Sequence, residues 1–270
     1  MVRALQVAVA LLVLVGCGGD AEPAERRSDP VRLSATATRS SLFDSQRTLR
    51  LELANTGGEP VVVETVQLDS GRFAPEDPSP RDTELAPVRR LLLPLPYGEA
   101  VCPGSEEPPL LRAEVGGELI EVPLDERPDG LLAALQAGEC DEATVRQAAE
   151  VSFGEDWTPT GPRSALGRVR IEPRSTEPAV RTSVQSISGN IVFGVRLRDG
   201  ILPATTTFPV ELVVDRCDTH ALIESKRTFR FPLDISLDGG PAIVYALEAE
   251  PGSTARAVLG RLIQGCIGEE

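Results

Sequence analysis

The residue with the widest chemical repertoire in this sequence is His220, the only histidine among 270 residues. It stands three positions after Cys217, but a zinc site would also need a free thiolate and two further ligands at suitable spacing. A Ser-His-Asp triad would have to use His220 as well, and no G-x-S-x-G nucleophile elbow precedes it. We therefore expect an exposed loop histidine, and we assign no catalytic, metal-binding or cofactor-binding residue.

Carboxylates are the other candidate acid–base groups, because the chain has 41 Asp and Glu residues. Adjacent pairs such as Asp125 with Glu126, and Glu155 with Asp156, fall in predicted loops, where solvated turn residues are the simpler interpretation. A hydrolase whose carboxylates converge only in three dimensions stays open as an alternative. The sequence contains neither a D-x-D-x-D-G calcium loop nor a G-x-x-x-x-G-K-[ST] phosphate loop.

Cys17 closes the stretch Leu14-Val15-Gly16-Cys17, which follows a short apolar run and precedes a polar segment. The motif resembles the lipobox of bacterial lipoproteins, in which the cysteine thiol takes a diacylglyceryl group and becomes the mature N-terminus. The run from Ala4 to Val15 is too short for a bilayer, which needs about 20 residues as a helix. We expect a signal peptide at 1–16 and a lipidated N-terminus with a flexible tether at 17–30. Acyl chains would hold the protein on the extracytoplasmic face of the cell membrane.

The composition favours β structure, because 23 prolines and 24 glycines accompany only weak helical periodicity. Hydrophobic residues make up 41% of the chain and aromatic residues 4%, so aliphatic side chains must fill the cores. A net charge of −14 repels nucleic acid and anionic lipid headgroups. We expect no nucleic-acid partner and no cofactor.

The chain repeats itself at an offset of 118 residues. Residues 59–71 then lie over 177–189, and seven of the thirteen aligned positions are identical without a gap. The cysteines recur at nearby offsets, and self-similarity at such a long period indicates duplicated domains. We expect two tandem β-sandwich-like (Ig-like) domains at 31–143 and 144–270, each with one C-terminal helix and one disulfide.

Each predicted copy contains several short strands with alternating apolar residues, followed by one helix. Asp129 and Ser253 are the candidate N-caps of the two helices. Gly138 and Gly265 are the candidate left-handed residues at their C-terminal ends. The predicted strands include 31–33, 49–53, 61–68, 91–95, 110–115 and 119–124 in the first copy, and 149–153, 209–214, 228–235 and 242–247 in the second.

Four cysteines remain beside Cys17, and they permit three pairings. Outside the cytoplasm they should oxidise. The duplication favours Cys102–Cys140 and Cys217–Cys266, one bridge within each copy. The chain-entropy model assigns roughly 4 kcal/mol of stabilisation to each loop of this length.

Two aromatic segments need separate interpretation. Trp157, the only tryptophan, follows a predicted strand and is expected to cover the end of the second core, although an aromatic anchor for a partner stays open. Tyr97 precedes Cys102 and is expected at the end of a strand held by the disulfide.

The lipobox, the two cysteine pairs and the stretch Phe153-Gly154-Glu155-Asp156-Trp157 together resemble uncharacterised lipoproteins of high-GC Gram-positive bacteria, in which paired-cysteine β domains follow a lipobox. The resemblance assigns no active residues. We expect a lipid-anchored envelope protein that acts as a non-catalytic binding or scaffolding module, with an envelope protein or a cell-wall component as partner. The alternatives are a carboxylate-dependent envelope hydrolase and a solute-binding lipoprotein, although solute-binding proteins usually need alternating α/β lobes.

Overall fold

The computed structural model describes residues 30–40, 46–174, 180–198, 206–225 and 227–267. The predicted signal peptide at 1–16, the lipidation site Cys17 and the tether up to residue 29 lie outside the described residues. Within them the chain is mainly β, with sandwich-like sheets, three helices and two disulfides.

The first half of the chain forms one seven-stranded sheet in the order β4-β3-β6-β7-β1-β2-β5. Neighbouring strands are antiparallel, except β1 and β7, which run parallel. β5 packs against β3 and β4, so the two ends of the sheet face each other across an apolar core. The strands are β1 (Leu33–Thr38), β2 (Thr48–Asn55), β3 (Val61–Asp69), β4 (Ser79–Leu85), β5 (Arg90–Pro96), β6 (Leu110–Val115) and β7 (Glu118–Arg127).

The second half forms two sheets that enclose a second core. One sheet has the order β12-β13-β10-β8, with β9 also paired to β10, and the other has the order β11-β14-β15. Apart from β9, this strand order is the four-plus-three order of a constant-type immunoglobulin domain. The strands are β8 (Ala149–Phe153), β9 (Thr158–Gly161), β10 (Ser164–Pro173), β11 (Thr182–Ile187), β12 (Phe193–Arg196), β13 (Thr207–Val214), β14 (Arg230–Leu237) and β15 (Ala242–Glu248).

The strand order repeats between the two halves. The neighbours β1-β2-β5 recur as β8-β10-β13, and β3-β6-β7 recur as β11-β14-β15. One strand departs from the repeat, because β4 pairs with β3 whereas β12 pairs with β13. Sequence patterning does not predict β4, because this strand is a sheet edge that carries Pro80 and lacks alternating apolar residues.

Helix α1 (Leu131–Ala148) differs from its prediction at both ends. The N-cap is Gly130 rather than Asp129, and the Glu126 carboxylate accepts a hydrogen bond from the Leu132 amide at 2.6 Å. Gly138 does not end the helix, because α1 continues to Ala148 and directly into β8. The predicted domain boundary between residues 143 and 144 therefore falls inside α1.

The continuation of α1 has a packing reason. Its first turn places Leu131 and Leu132 in the core of the first half, and its last turn places Val145 in the core of the second half. The helix also packs against β14, β15 and β8. A single helix is thus shared by both cores instead of belonging only to the first domain.

Helix α3 (Thr254–Ile267) packs on β10 and β13 of the second half. The Ser253 hydroxyl accepts a hydrogen bond from the Arg256 amide at 3.1 Å, as its predicted N-cap role requires. Gly265, however, lies within α3 and not beyond its end. A short helix, α2 (Thr219–Glu224), precedes β14 and begins at the N-cap Asp218, whose side chain accepts from the Ala221 amide.

Both predicted disulfides are present. Cys102 is bonded to Cys140 and Cys217 to Cys266, with Cα–Cα distances of 5.8 and 5.6 Å. Each bond ties the segment after a strand, β5 or β13, to the helix that follows several strands later. The Cys102–Cys140 bond therefore fixes the middle of α1 to the first half.

Candidate functional site

A groove runs along α1 where the two halves of the chain meet. It consists of one cavity of about 390 Å³ and a second of about 350 Å³. The cavities share the lining residues Glu142, Arg227 and Arg230, so they are adjacent. Hereafter these two cavities are called the interdomain groove, and the first and second are its cationic end and its apolar end.

The described lining of the groove is rich in arginine. Five guanidinium groups face two carboxylates, although the whole chain carries 41 acidic and only 27 basic residues. Arginines therefore outnumber carboxylates among the described lining residues, although the net charge of the protein is −14. The arginines are Arg39, Arg47, Arg146, Arg227 and Arg230, and the carboxylates are Glu139 and Glu142.

Ion pairs fix several of these side chains in place. Glu142, on α1, contacts Arg146 at 3.3 Å and Arg230 of β14 at 2.6 Å. Arg47 contacts Glu139 of α1 at 3.3 Å and Glu99 at 3.2 Å. Because α1 supplies Glu139 and Glu142, it connects arginines of the first half and of the second half across the groove.

The electrostatics around Arg47 follow from these contacts. Partial burial lowers its pKa, but the hydrogen bond to Glu99 and the charges of Glu139 and Glu99 outweigh burial, so the pKa of Arg47 is raised above its usual value. Arg47 is therefore held as a cation.

The two tyrosines of the chain, Tyr97 and Tyr245, stand at the two ends of the groove. Burial raises the pKa of Tyr97, and Glu139 raises it further, against the opposing charges of Arg39 and Arg47. Burial also raises the pKa of Tyr245. Both rings thus present neutral phenols at physiological pH, which suits stacking and hydrogen bonding rather than charge.

The apolar end of the groove is built by β14, β15 and the loop before β12. Val244 lines it and is 62% exposed. The Asn190 side chain shapes the loop, since its oxygen accepts from the backbone amides of Val192 and Phe193, each at 2.9 Å. The remaining described lining includes Gly189, Pro232, Tyr245 and Ala246.

His220, Cys217 and the predicted carboxylate pairs are not among the residues that line this groove. His220 is exposed as predicted, but it lies in α2 rather than in a loop. Cys217 is in a disulfide, which removes the thiolate that a His220 metal site would need. Among the described residues, no group of three or more His, Cys, Asp or Glu side chains is placed to hold a metal ion.

The carboxylate pairs also do not converge on the groove. Asp125 and Glu126 lie in β7 rather than in a loop, and Glu126 caps α1. Glu155 and Asp156 are exposed, as expected for solvated turn residues.

Trp157 packs within the protein. Its ring lies against Phe153, with centroids 5.7 Å apart, and its indole N–H donates to the Gly154 carbonyl at 2.8 Å. A side chain at Gly167 would meet the indole at 2.6 Å, so the ring covers that glycine closely. This is the packing role expected from the sequence.

Sequence reasoning identified none of the arginines of the groove. They come from the end of β1, the turn before β2, α1 and the segment that begins β14, so no spacing pattern connects them. The sequence offered only a weak signal for the groove, which is that five arginines lie near strand and helix ends of an acidic chain.

Comparisons with known proteins identify no family. No protein-family model matches the chain, and neither does any curated protein. One similar solved structure is a protein of unknown function from Porphyromonas gingivalis W83, with 15% identity, 82% of this chain and 100% of that chain covered, and a TM-score of 0.21. Another is a beta-glycosidase from Bacteroides vulgatus, with 10% identity, 81% and 24% coverage, and a TM-score of 0.17. The B domain of a biofilm associated protein has 8% identity, 79% and 83% coverage, and a TM-score of 0.18.

Similarities with TM-scores this low support no conclusion about function. Among the described residues, no helix is both long enough and apolar enough to cross a membrane.

Proposed function

We propose that the chain is a lipid-anchored, extracytoplasmic envelope protein that acts as a non-catalytic binding module and takes its ligand in the interdomain groove. The groove carries the binding role, because two folded halves and a shared helix line it and because this lining is rich in arginine although the chain is acidic. Ligand sites are commonly concave and occur at domain interfaces.

The contacts of the two groove carboxylates favour a binding function over hydrolysis. Glu142 is engaged by two arginines, and Glu139 is engaged by Arg47 and by the Ala100 amide at 3.3 Å. These oxygens hold the walls of the groove together. A glycoside hydrolase would instead need one carboxylic acid that is available to protonate a leaving group.

The anchor is supported by the lipobox-like stretch that ends at Cys17 and by the two disulfides. Disulfides persist in oxidising compartments outside the cytoplasm. The test is production of the full chain in a high-GC Gram-positive host, followed by membrane fractionation and mass spectrometry of the mature N-terminus. We expect membrane association and a diacylglyceryl group on Cys17, and loss of both in Cys17→Ser. An unmodified terminus at another residue would refute the anchor.

The binding role is tested by photo-crosslinking in the same cells. A photoreactive amino acid replaces Val244 in the groove or, as a matched control, Leu92, which is 52% exposed on β5 outside the groove. We expect an adduct at position 244 that is absent at position 92. Equal labelling at both positions would argue against a ligand site in the groove.

A further inference from the structure

The charged side chains at the cationic end of the groove are paired with one another, and this pairing restricts the class of ligand. We propose that the cationic end binds an uncharged, hydroxyl-rich ligand, namely a neutral saccharide. The cavity of about 390 Å³ lies within the range that small ligands occupy. This ligand class rests on the binding function proposed above and concerns the first cavity alone.

The first support is the balance of charge. Arg47 contacts two glutamates, and Glu142 contacts two arginines. Arg39 and Arg227 have interactions of their own as well. A charged ligand would therefore meet groups of both signs, so attraction to one group is offset by repulsion from its partner. A hydroxyl group is both donor and acceptor, so it can accept from a guanidinium and donate to the neighbouring carboxylate without disturbing their ion pair.

The second support is that the cavity contains polar atoms which the fold leaves for a ligand. Both described contacts of Glu139, from Arg47 and from the Ala100 amide, use Oε2. Oε1 of Glu139 therefore has no hydrogen-bond donor among the described residues. The Tyr97 hydroxyl has no hydrogen-bond partner in the described part of the chain either, and the charges of Glu139 and Arg47 act on it, which places it among the polar lining. A carboxylate oxygen and a phenol hydroxyl are thus available to the hydroxyl groups of a saccharide.

The third support is an apolar surface beside these polar atoms. A saccharide ring presents C–H groups on its faces and hydroxyl groups at its edges, so it needs both kinds of surface. The Tyr97 ring and Leu135 line the same cavity. An edge contact with Phe73, at a centroid distance of 4.8 Å, holds the Tyr97 ring in place. A tyrosine, which combines an apolar ring with a polar hydroxyl, suits this dual character.

Gly138 provides the fourth support, because it lines the cavity from the interior of α1. Glycine destabilises a helix interior relative to alanine, yet nothing from the rest of the protein lies within 4 Å of the position that a Cβ would take there. Gly138 is not a hinge between the halves, because Gln136 and Cys140 on either side of it are both bonded to the first half. The absent side chain instead keeps this part of the cavity open.

The test is isothermal titration of the full chain, purified in a polyoxyethylene detergent that has no sugar headgroup. The neutral probes are maltose, cellobiose and diacetylchitobiose, and the charged probes are the anion gluconate and the zwitterion glycylglycine. We expect at least one neutral disaccharide to bind at least about tenfold more tightly than either charged probe. Equal or tighter binding of a charged probe, or no binding of any neutral probe up to about 10 mM, would overturn the ligand class.

Two variants test whether the saccharide lies in the first cavity. Gly138→Leu fills the open space and should abolish binding without loss of stability in thermal denaturation, because leucine is a good helix former. Tyr97→Phe should weaken binding roughly threefold to tenfold, because one neutral hydrogen bond is lost. The controls are Gly260→Leu, also in a helix with nothing within 4 Å of the Cβ position, and Thr56→Val, which removes an exposed hydroxyl outside the groove. Unchanged affinity in Gly138→Leu and Tyr97→Phe would overturn the site.

The course of β1 indicates where the saccharide comes from. This strand begins at Leu33, just after the predicted tether, and ends at Thr38, next to Arg39 of the cavity. Its six residues span about 20 Å, so the cavity lies at the end of the first half that is remote from the proposed anchor. We therefore expect a cell-wall or soluble saccharide rather than a glycolipid headgroup of the same membrane.

Reconstitution of the full chain in phosphatidylcholine vesicles, with or without glucosyl diacylglycerol, tests this source. Unchanged affinity for the free disaccharide supports it. Competition by the lipid would overturn the source and support the ligand class, because the neutral headgroup would then reach the cavity.

These outcomes can be separated from a failure of the proposed function. If the photoreactive residue at position 244 gives an adduct but no neutral probe binds, the ligand class is wrong and the groove remains a binding site. If Cys17 carries no lipid but a disaccharide binds and Gly138→Leu abolishes the binding, the anchor is wrong and the ligand class stands. Hydrolysis of the bound disaccharide, detected by chromatography, would contradict the non-catalytic role and not the ligand class.

Discussion

Val88 occupies the turn between β4 and β5, where the Arg89 amide donates to the Ala86 carbonyl at 3.2 Å. Its φ is +60°, a value that suits glycine at the third position of a type II turn, and its side chain is 88% exposed. A left-handed conformation costs a β-branched residue roughly 1–2 kcal/mol. Val88→Gly removes this cost and loses no burial, although glycine adds backbone entropy to the unfolded chain. We expect about 1 kcal/mol of added stability in urea unfolding.

The control for this prediction is Val88→Ala, which shortens the side chain but keeps the left-handed cost. We expect a change of less than about 0.5 kcal/mol. Equal stabilisation by both substitutions would show that backbone strain is not the cause.

At Gly167, in contrast, the surroundings require glycine. A Cβ there would lie 2.6 Å from the Trp157 ring, so Gly167→Ala forces the indole outward. We expect a loss of roughly 1–3 kcal/mol, as for other overpacked sites, together with a red-shifted fluorescence emission. Trp157 is the only tryptophan, so its emission reports this site alone. Gly58→Ala serves as the control, because nothing lies within 4 Å of its Cβ position; an equal loss there would refute the steric explanation.

At the scale of elements, a glycine inside α3 offers a direct test of the helical assignment. Gly260 lies in its interior, and nothing lies within 4 Å of the position that a Cβ would take there. We expect Gly260→Ala to add about 0.5–1 kcal/mol to the free energy of unfolding, because alanine loses less backbone entropy in a helix. Gly116 also has open space, but its φ is +61°, so Gly116→Ala should destabilise the protein instead. A loss of stability in Gly260→Ala, measured by thermal denaturation, would contradict the helical assignment.

The strands that the sequence predicted are those in which apolar and polar residues alternate, such as β2 with buried Leu49, Leu51 and Leu53. The sequence also predicted the two disulfides, because each copy of the duplication contains one pair of cysteines in a corresponding place. It did not predict β4, whose exposed edge needs no apolar face, nor the full length of α1. The second half of α1 is determined by the next domain, since Val145 is buried in a core that local sequence cannot reveal. The groove was the most difficult feature to predict, because its arginines come together only after both halves have folded.

At the scale of the whole molecule, α1 should make the two halves unfold together. Leu132 is fully buried in the first core, and Val145, on the same helix, is fully buried in the second. Leu132→Ala should cost about 2–5 kcal/mol through the lost burial and the cavity left behind. If α1 transmits that loss, the urea midpoint reported by Trp157 fluorescence, which lies in the second half, should fall together with the midpoint reported by circular dichroism.

Independent domains would respond differently. Trp157 fluorescence would then keep its midpoint in Leu132→Ala while circular dichroism split into two transitions. Leu212→Ala, in the second core, is the reference substitution, because it must lower the Trp157 midpoint in either case. Coupled unfolding matters for the groove as well, because Arg47 belongs to one half and Arg230 to the other. Coincident transitions would therefore show that α1 couples the two walls of the groove, whereas separate transitions would show that the walls are joined only loosely.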